Sequence, residues 1–219
     1  MIYNDEYILV CPPKCGTMSV IKHLNEEYKW KSVSDFKTLS HSPFIPKSKH
    51  KKVLMLIRNP YERIVSMYEY FLSRIDVVNN SSNNRDSFYD FLKGKSFQEF
   101  IHYYNIQRQD KKLTSNREDE INQFKDSLFY NMYLYRHVHI SFLRSLKQYK
   151  EICNPSLFIR LENLENDFKK IGIETTFPII NKTVNKPNKS LSEYYTKETL
   201  QYCDFIKQDA IEFGYEVIE

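Results

Sequence analysis

Tyr7-Ile8-Leu9-Val10-Cys11-Pro12-Pro13-Lys14-Cys15-Gly16-Thr17-Met18-Ser19 decides how this chain is read. Residues 7–11 form an unbroken apolar run closed by a proline pair, the pattern of a strand buried on both faces in a parallel sheet. Thr17 is placed to cap a helix, and Val20, Ile21, Leu24 and Tyr28 then fall on one helical face. The segment reads strand, tight loop, helix. Backbone N–H groups at such a helix start, with the helix dipole behind them, form an anion site that suits a phosphate. Gly16 lets the backbone come close to a ligand, Thr17 and Ser19 offer hydroxyls, and Lys14 adds a positive charge. The loop is not GxxxxGK[ST], because its lysine precedes the glycine and the first glycine is missing, so an ATP-type loop is disfavoured. Taken alone, the same residues also suit an ordinary strand-to-helix turn.

The unit recurs further along. Val53-Leu54-Met55-Leu56-Ile57 is a second strand-type run, and Arg58-Asn59-Pro60 leads into a helix over 61–72 with Ile64, Val65, Tyr68 and Leu72 on one face. Leu157-Phe158-Ile159-Arg160-Leu161 is a third strand, with Glu162-Asn163-Leu164 opening the next segment. Strands alternating with helices predict an α/β fold with a central parallel sheet covered by helices on both faces. Residues 73–84 and 107–125 read as loops, 128–149 as one long amphipathic helix, and 196–213 as a final helix. With no repeat and no linker composition, residues 1–219 are expected to form one domain with a helical and loop insertion around 73–125.

Composition narrows the classes. The net charge of +4 comes from 32 Lys+Arg against 28 Asp+Glu, a mildly basic balance that does not mark a nucleic-acid binder. Most lysines, the 47–52 run included, read as solvated loop residues. Cys11, Cys15, Cys153 and Cys203 show neither CxxC spacing nor a zinc-type histidine pattern, and His102, His137 and His139 have no ligand spacing either. No zinc site is therefore expected. The first residues carry no signal-peptide or membrane-span pattern, so a cytoplasmic setting without a membrane anchor is the default expectation.

Arg58 falls at the carboxyl end of a strand, where open α/β sheets bind their ligands, and Ser66 lies two turns into the following helix. A guanidinium grips a phosphate through two hydrogen bonds and a hydroxyl adds a third. For Arg58 in isolation a surface ion pair is the simpler reading, and Glu62 and Arg63 read as a solvated helix face.

The two segments together resemble the PAPS-dependent sulfotransferases, whose 5′-phosphosulfate loop is PKxGT and whose 3′-phosphate motif is R-x-P-x-x-R-x-x-S-x-Y. Here they read PKCGTMS and RNPYERIVSMYEYF, with the Arg58-to-Ser66 spacing kept, and the pair is most similar to the carbohydrate-directed branch. LFIRLENLENDF resembles the family's strand with its following E-x-L, and KPNKSLSEYYTKETLQYCDFIKQDAIEFGYE resembles its C-terminal helix. The four stretches cover about a third of the chain, in family order. Two features depart from the pattern: the stretch between Lys14 and Arg58 is shorter than in many members, and Met18 stands where a hydroxyl residue is commoner.

The resemblance implies a P-loop-like three-layer fold and transfer of a sulfuryl group from 3′-phosphoadenosine 5′-phosphosulfate (PAPS) to a hydroxyl or amine, releasing PAP without a metal. It implies that Lys14 neutralises charge on the departing phosphate and that the backbone of Cys15, Gly16, Thr17, Met18 and Ser19 holds the 5′-phosphate. Arg58 and Ser66 would hold the 3′-phosphate, and Lys186 and Lys189 would lie in a loop over the nucleotide, a solvated loop being the alternative for both. His41 is the candidate general base, with a hydrogen-bonded loop histidine as its alternative. Glu26 and Glu27 are the other candidate bases, although both read as solvated helix positions, as does His23. The acceptor is a small molecule or a carbohydrate; no motif identifies it, and nothing fixes the oligomeric state. A nucleotide or sugar kinase of P-loop type, and a catalytically silent nucleotide-binding protein, are the competing readings.

Overall fold

The computed structural model describes residues 1–32, 51–75, 92–109, 140–178 and 189–219. It is a mixed α/β structure whose strands are β1 (Ile2–Tyr3), β2 (Tyr7–Val10), β3 (Lys31–Ser32), β4 (Lys52–Ile57) and β5 (Leu157–Arg160). They form one five-stranded sheet in the order β3-β1-β2-β4-β5. The chain divides into two units, Met1–Asn59 with Leu146–Lys182, and Pro60–Ser145 with Thr183–Glu219.

The first unit contains the sheet, α1 (Thr17–Tyr28), α4 (Leu146–Cys153), a 3-10 turn (Leu161–Asn163) and α5 (Leu164–Lys169). β2, β4 and β5 run parallel, with Val10 opposite Met55 and Ile57 opposite Arg160. Burial explains their unbroken apolar character, since Leu9, Val10, Met55, Leu56, Ile57 and Ile159 are all fully buried. The wholly parallel sheet expected from sequence is corrected to a mixed one, because β1 pairs antiparallel with both β2 and β3. Two-residue strands are too short to show a period. What reverses the chain between β1 and β2 is Asn4, whose Oδ1 accepts the N–H groups of Glu6 at 2.9 Å and Tyr7 at 2.7 Å.

Asp167 fixes the chain after β5. It is buried, and its carboxylate accepts the Arg160 N–H at 2.8 Å, the Asn163 amide at 3.0 Å and the Lys170 ammonium at 2.6 Å. Burial pushes its pKa up, but the bonds from Lys170, Arg160 and Asn163 together outweigh burial and hold it below the usual carboxylate value. A depressed folded-state pKa gives stability that is full above the unfolded value of about 3.9 and is lost as pH falls through the folded value. Asp167→Asn is therefore expected to flatten the stability loss below about pH 4 in denaturant titrations. Asp167→Ala should cost about 1–3 kcal/mol at neutral pH by orphaning the Arg160 N–H. Superimposable acid limbs for wild type and Asp167→Asn would remove Asp167 from the acid response.

The second unit contains α2 (Pro60–Leu72), α3 (Phe97–Gln109), a 3-10 turn (Ile140–Leu143), α6 (Leu191–Tyr194), α7 (Lys197–Leu200) and α8 (Asp204–Phe213). Its core is rich in rings: Tyr61 meets Tyr195 at 5.0 Å and Phe97 meets Tyr195 at 5.1 Å, both edge to face. Ile64, Val65 and Tyr68 bury the helical face predicted for them. Arg63 does not follow its expected solvated reading. It is 1% exposed, and its Nη2 donates to the Arg144 carbonyl at 3.1 Å.

Two expected helices are interrupted among the described residues, and 128–139 of the first lie outside them. The described part of 128–149 is the turn Ile140–Leu143 followed, after buried Arg144 and Ser145, by α4. Phe142 and Leu143 join the second unit's core while Leu146 opens a helix of the first, so one apolar stripe serves two cores. The expected 196–213 helix is broken between α7 and α8. Tyr202 N–H bonds to the Thr199 carbonyl at 3.1 Å and Cys203 N–H to the Leu200 carbonyl at 3.0 Å, and these three-residue bonds close the first helix. All four cysteines are buried free thiols, and burial pushes Cys11 up to about 11 and Cys153 up to about 12. No described helix is long and apolar enough to cross a membrane.

Candidate functional site

Because β2, β4 and β5 are parallel and in register, the segments after Val10, Ile57 and Arg160 all leave the sheet at its carboxyl edge. The first is the loop 11–16. Lys14 adopts φ 66° and Gly16 φ 75°, so two of the three residues before the helix are in the left-handed region. For lysine that conformation costs about 1–2 kcal/mol, and strain of this kind gathers at functional loops.

Gly16, not Thr17, is the N-cap of α1, and no side chain caps the helix. This corrects the capping role expected for Thr17, whose Oγ1 instead donates to the Pro12 carbonyl at 3.1 Å and ties the helix start back to the loop entrance. A glycine cap supplies no side-chain acceptor to the first-turn N–H groups, which is the arrangement an incoming anion exploits. The left-handed φ is what favours glycine here; a Cβ on Gly16 would also meet the Cδ1 tip of Leu161 at the exit of β5, which would have to turn aside. The loop residue expected to give room to a ligand also gives room to the third strand's first residue outside the sheet.

The backbone predicted to hold a phosphate has distinct side-chain fates. Cys15 is fully buried, Ser19 is half-buried and Met18 is 56% exposed at the helix start. Arg58, at the end of β4, reaches the same loop: its Nη1 donates to the Lys14 carbonyl at 3.4 Å, across 44 residues of sequence. Next to it, the Asn59 N–H donates to Glu162 Oε1 at 2.6 Å, which joins the exits of β4 and β5. From sequence, Glu162 is only part of a strand-following motif. Its bridging role depends on strand order, which no local pattern carries.

Other expected residues lie elsewhere. Ser66 is half-buried on α2 of the second unit, and Lys189 is exposed there, its Nζ 5.7 Å from the centre of the Tyr194 ring. His41 and Lys186 lie outside the described residues. Glu26 and Glu27 are exposed, in keeping with their solvated reading, and Glu26 sits 3.9 Å from Lys22. His23 departs from its surface reading: it is half-buried, hydrogen-bonded to Thr175 Oγ1 at 2.8 Å and packed edge-on against Phe177 at 4.8 Å.

No protein-family model, no curated protein and no solved structure matches this chain.

Proposed function

We propose that the chain is a PAPS-dependent sulfotransferase with a P-loop-like α/β fold, moving a sulfuryl group to an acceptor hydroxyl or amine. The observation that carries the reading is the meeting of Arg58 with the Lys14 carbonyl at the carboxyl edge of the parallel strands. Lys14 of the motif suited to a 5′-phosphosulfate and Arg58 of the motif suited to a 3′-phosphate, 44 residues apart in sequence, meet within the first unit. The glycine-capped start of α1 supports a phosphate there, and the motif spacing alone gives Ser66 its part in holding the 3′-phosphate.

In the proposed reaction the acceptor oxygen or nitrogen attacks sulfur in line with the bridging oxygen. The new bond to sulfur forms as the bond from sulfur to the 5′-phosphate oxygen breaks, the electron pair leaves with PAP, and a base takes the acceptor proton. Lys14 offsets charge growing on the phosphate. His41 is the proposed base, since an unperturbed imidazole, titrating at about 6.5, suits a proton transfer at neutral pH. The test is transfer of labelled sulfur from PAPS to a panel of carbohydrate, hydroxyl and amine acceptors, alongside calorimetry with PAP and ATP. Preference for PAP, and transfer that persists with a strong chelator, are expected. Equal affinity for the two nucleotides would overturn the assignment.

A further inference from the structure

The second unit holds an open cavity of about 340 Å³ whose walls include Tyr68, Glu69, Phe97, Lys189, Glu193 and Tyr194. Glu69 is only 7% exposed, and Tyr194 donates its hydroxyl to Glu69 Oε1 at 2.6 Å. Among the described residues that hydroxyl is the sole hydrogen-bond donor to the Glu69 side chain, and no cation lies within ion-pair reach of it. A carboxylate so withdrawn from water is normally matched by a cation or by several donors. Among the described residues no side chain supplies that matching charge, while the carboxylate lines a cavity.

The remaining walls are aromatic. Tyr68 and Phe97 meet at 5.3 Å and Phe97 and Tyr194 at 5.1 Å, both edge to face. Ring faces carry negative potential and attract ammonium groups. One cation already uses this wall, since the exposed Lys189 places its Nζ 5.7 Å from the Tyr194 ring centre. Glu193, whose carboxylate closes a capping box with Ser190, adds a second negative group to the lining.

We infer that this cavity is a binding site for a small alkylammonium ligand, its charge facing the Glu69 carboxylate and its carbons against the rings of Tyr68, Phe97 and Tyr194. Lys189 then acts as a tethered competitor for the same wall. The inference is independent of the nucleotide reading, and its test contains no nucleotide.

Butylammonium and tetramethylammonium chloride are titrated into the full chain and followed by NMR, with sodium chloride at equal ionic strength as the control. Saturable binding is expected with a Kd in roughly the millimolar range, the scale of one ion pair with aromatic support. Glu69→Gln keeps an acceptor for Tyr194 and removes the charge, so affinity should fall about tenfold or more. Lys189→Gln, an exposed change that leaves the core untouched, should raise affinity about threefold by removing the competitor. Wild-type shifts no different from the sodium control, or equal affinity in Glu69→Gln, overturn the site. Should Glu69→Gln not fold, unchanged or weaker binding in Lys189→Gln overturns it instead.

Discussion

Lys14→Ala is expected to lower turnover by about 10²–10³-fold while changing the nucleotide Kd far less, the signature of a group whose contribution grows in the transition state. The charge it answers appears on the phosphate oxygen only as the bond to sulfur breaks, so the ground-state complex loses little without it. Lys14→Arg keeps the charge but replaces a compact ammonium with a planar fork, and its rate should fall between the two. Lys14 occupies the left-handed region at φ 66°, and alanine would bear the same backbone strain as lysine. The rate loss should therefore appear without a matching loss of stability. Single-turnover kinetics beside a denaturation curve separate these quantities, and a well-folded Lys14→Ala protein with normal turnover would remove the residue from the mechanism.

Arg58→Ala is expected to cost PAP affinity on the order of 10–100-fold, the scale of losing charge-assisted hydrogen bonds to a phosphate. Adenosine 5′-monophosphate gives the sharper comparison, because it differs from PAP only by the 3′-phosphate. Wild type should prefer PAP over it, and the variant should bind the two nearly alike. Arg58→Lys retains a positive charge without the bidentate geometry and should recover only part of the preference. Calorimetry with both nucleotides reads the effect. A loss shared equally by the two would mean that Arg58 shapes the loop through the Lys14 carbonyl rather than holding the 3′-phosphate.

The strand-loop-helix reading of 7–28 was available from sequence because its information is local. An apolar run, a proline pair, a glycine and a helical stripe lie within one short stretch, and Val20, Ile21 and Leu24 are indeed the face that α1 buries. The strand at Val53 and the strand at Leu157 were legible for the same reason. β1 and β3 were not, since two residues have no period, and the reversal that pairs β1 with β2 depends on the turn held by Asn4. The stripe over 140–149 misled because apolar residues report burial without reporting in which core. Leu143 goes to one unit and Leu146 to the other, with buried Arg144 and Ser145 between them.

The sequence by itself determined the chemistry on offer: a lysine and a glycine before a helix, and an arginine after a strand. Only the tertiary structure decided that Arg58 reaches the Lys14 carbonyl, that Glu162 takes the Asn59 N–H, and that Leu161 fills the space a Gly16 side chain would need. The physical reason is sheet order. Placing β4 between β2 and β5 brings three strand exits to one edge, and that order is fixed by strand pairing and burial across the whole unit rather than by any stretch of residues near the site.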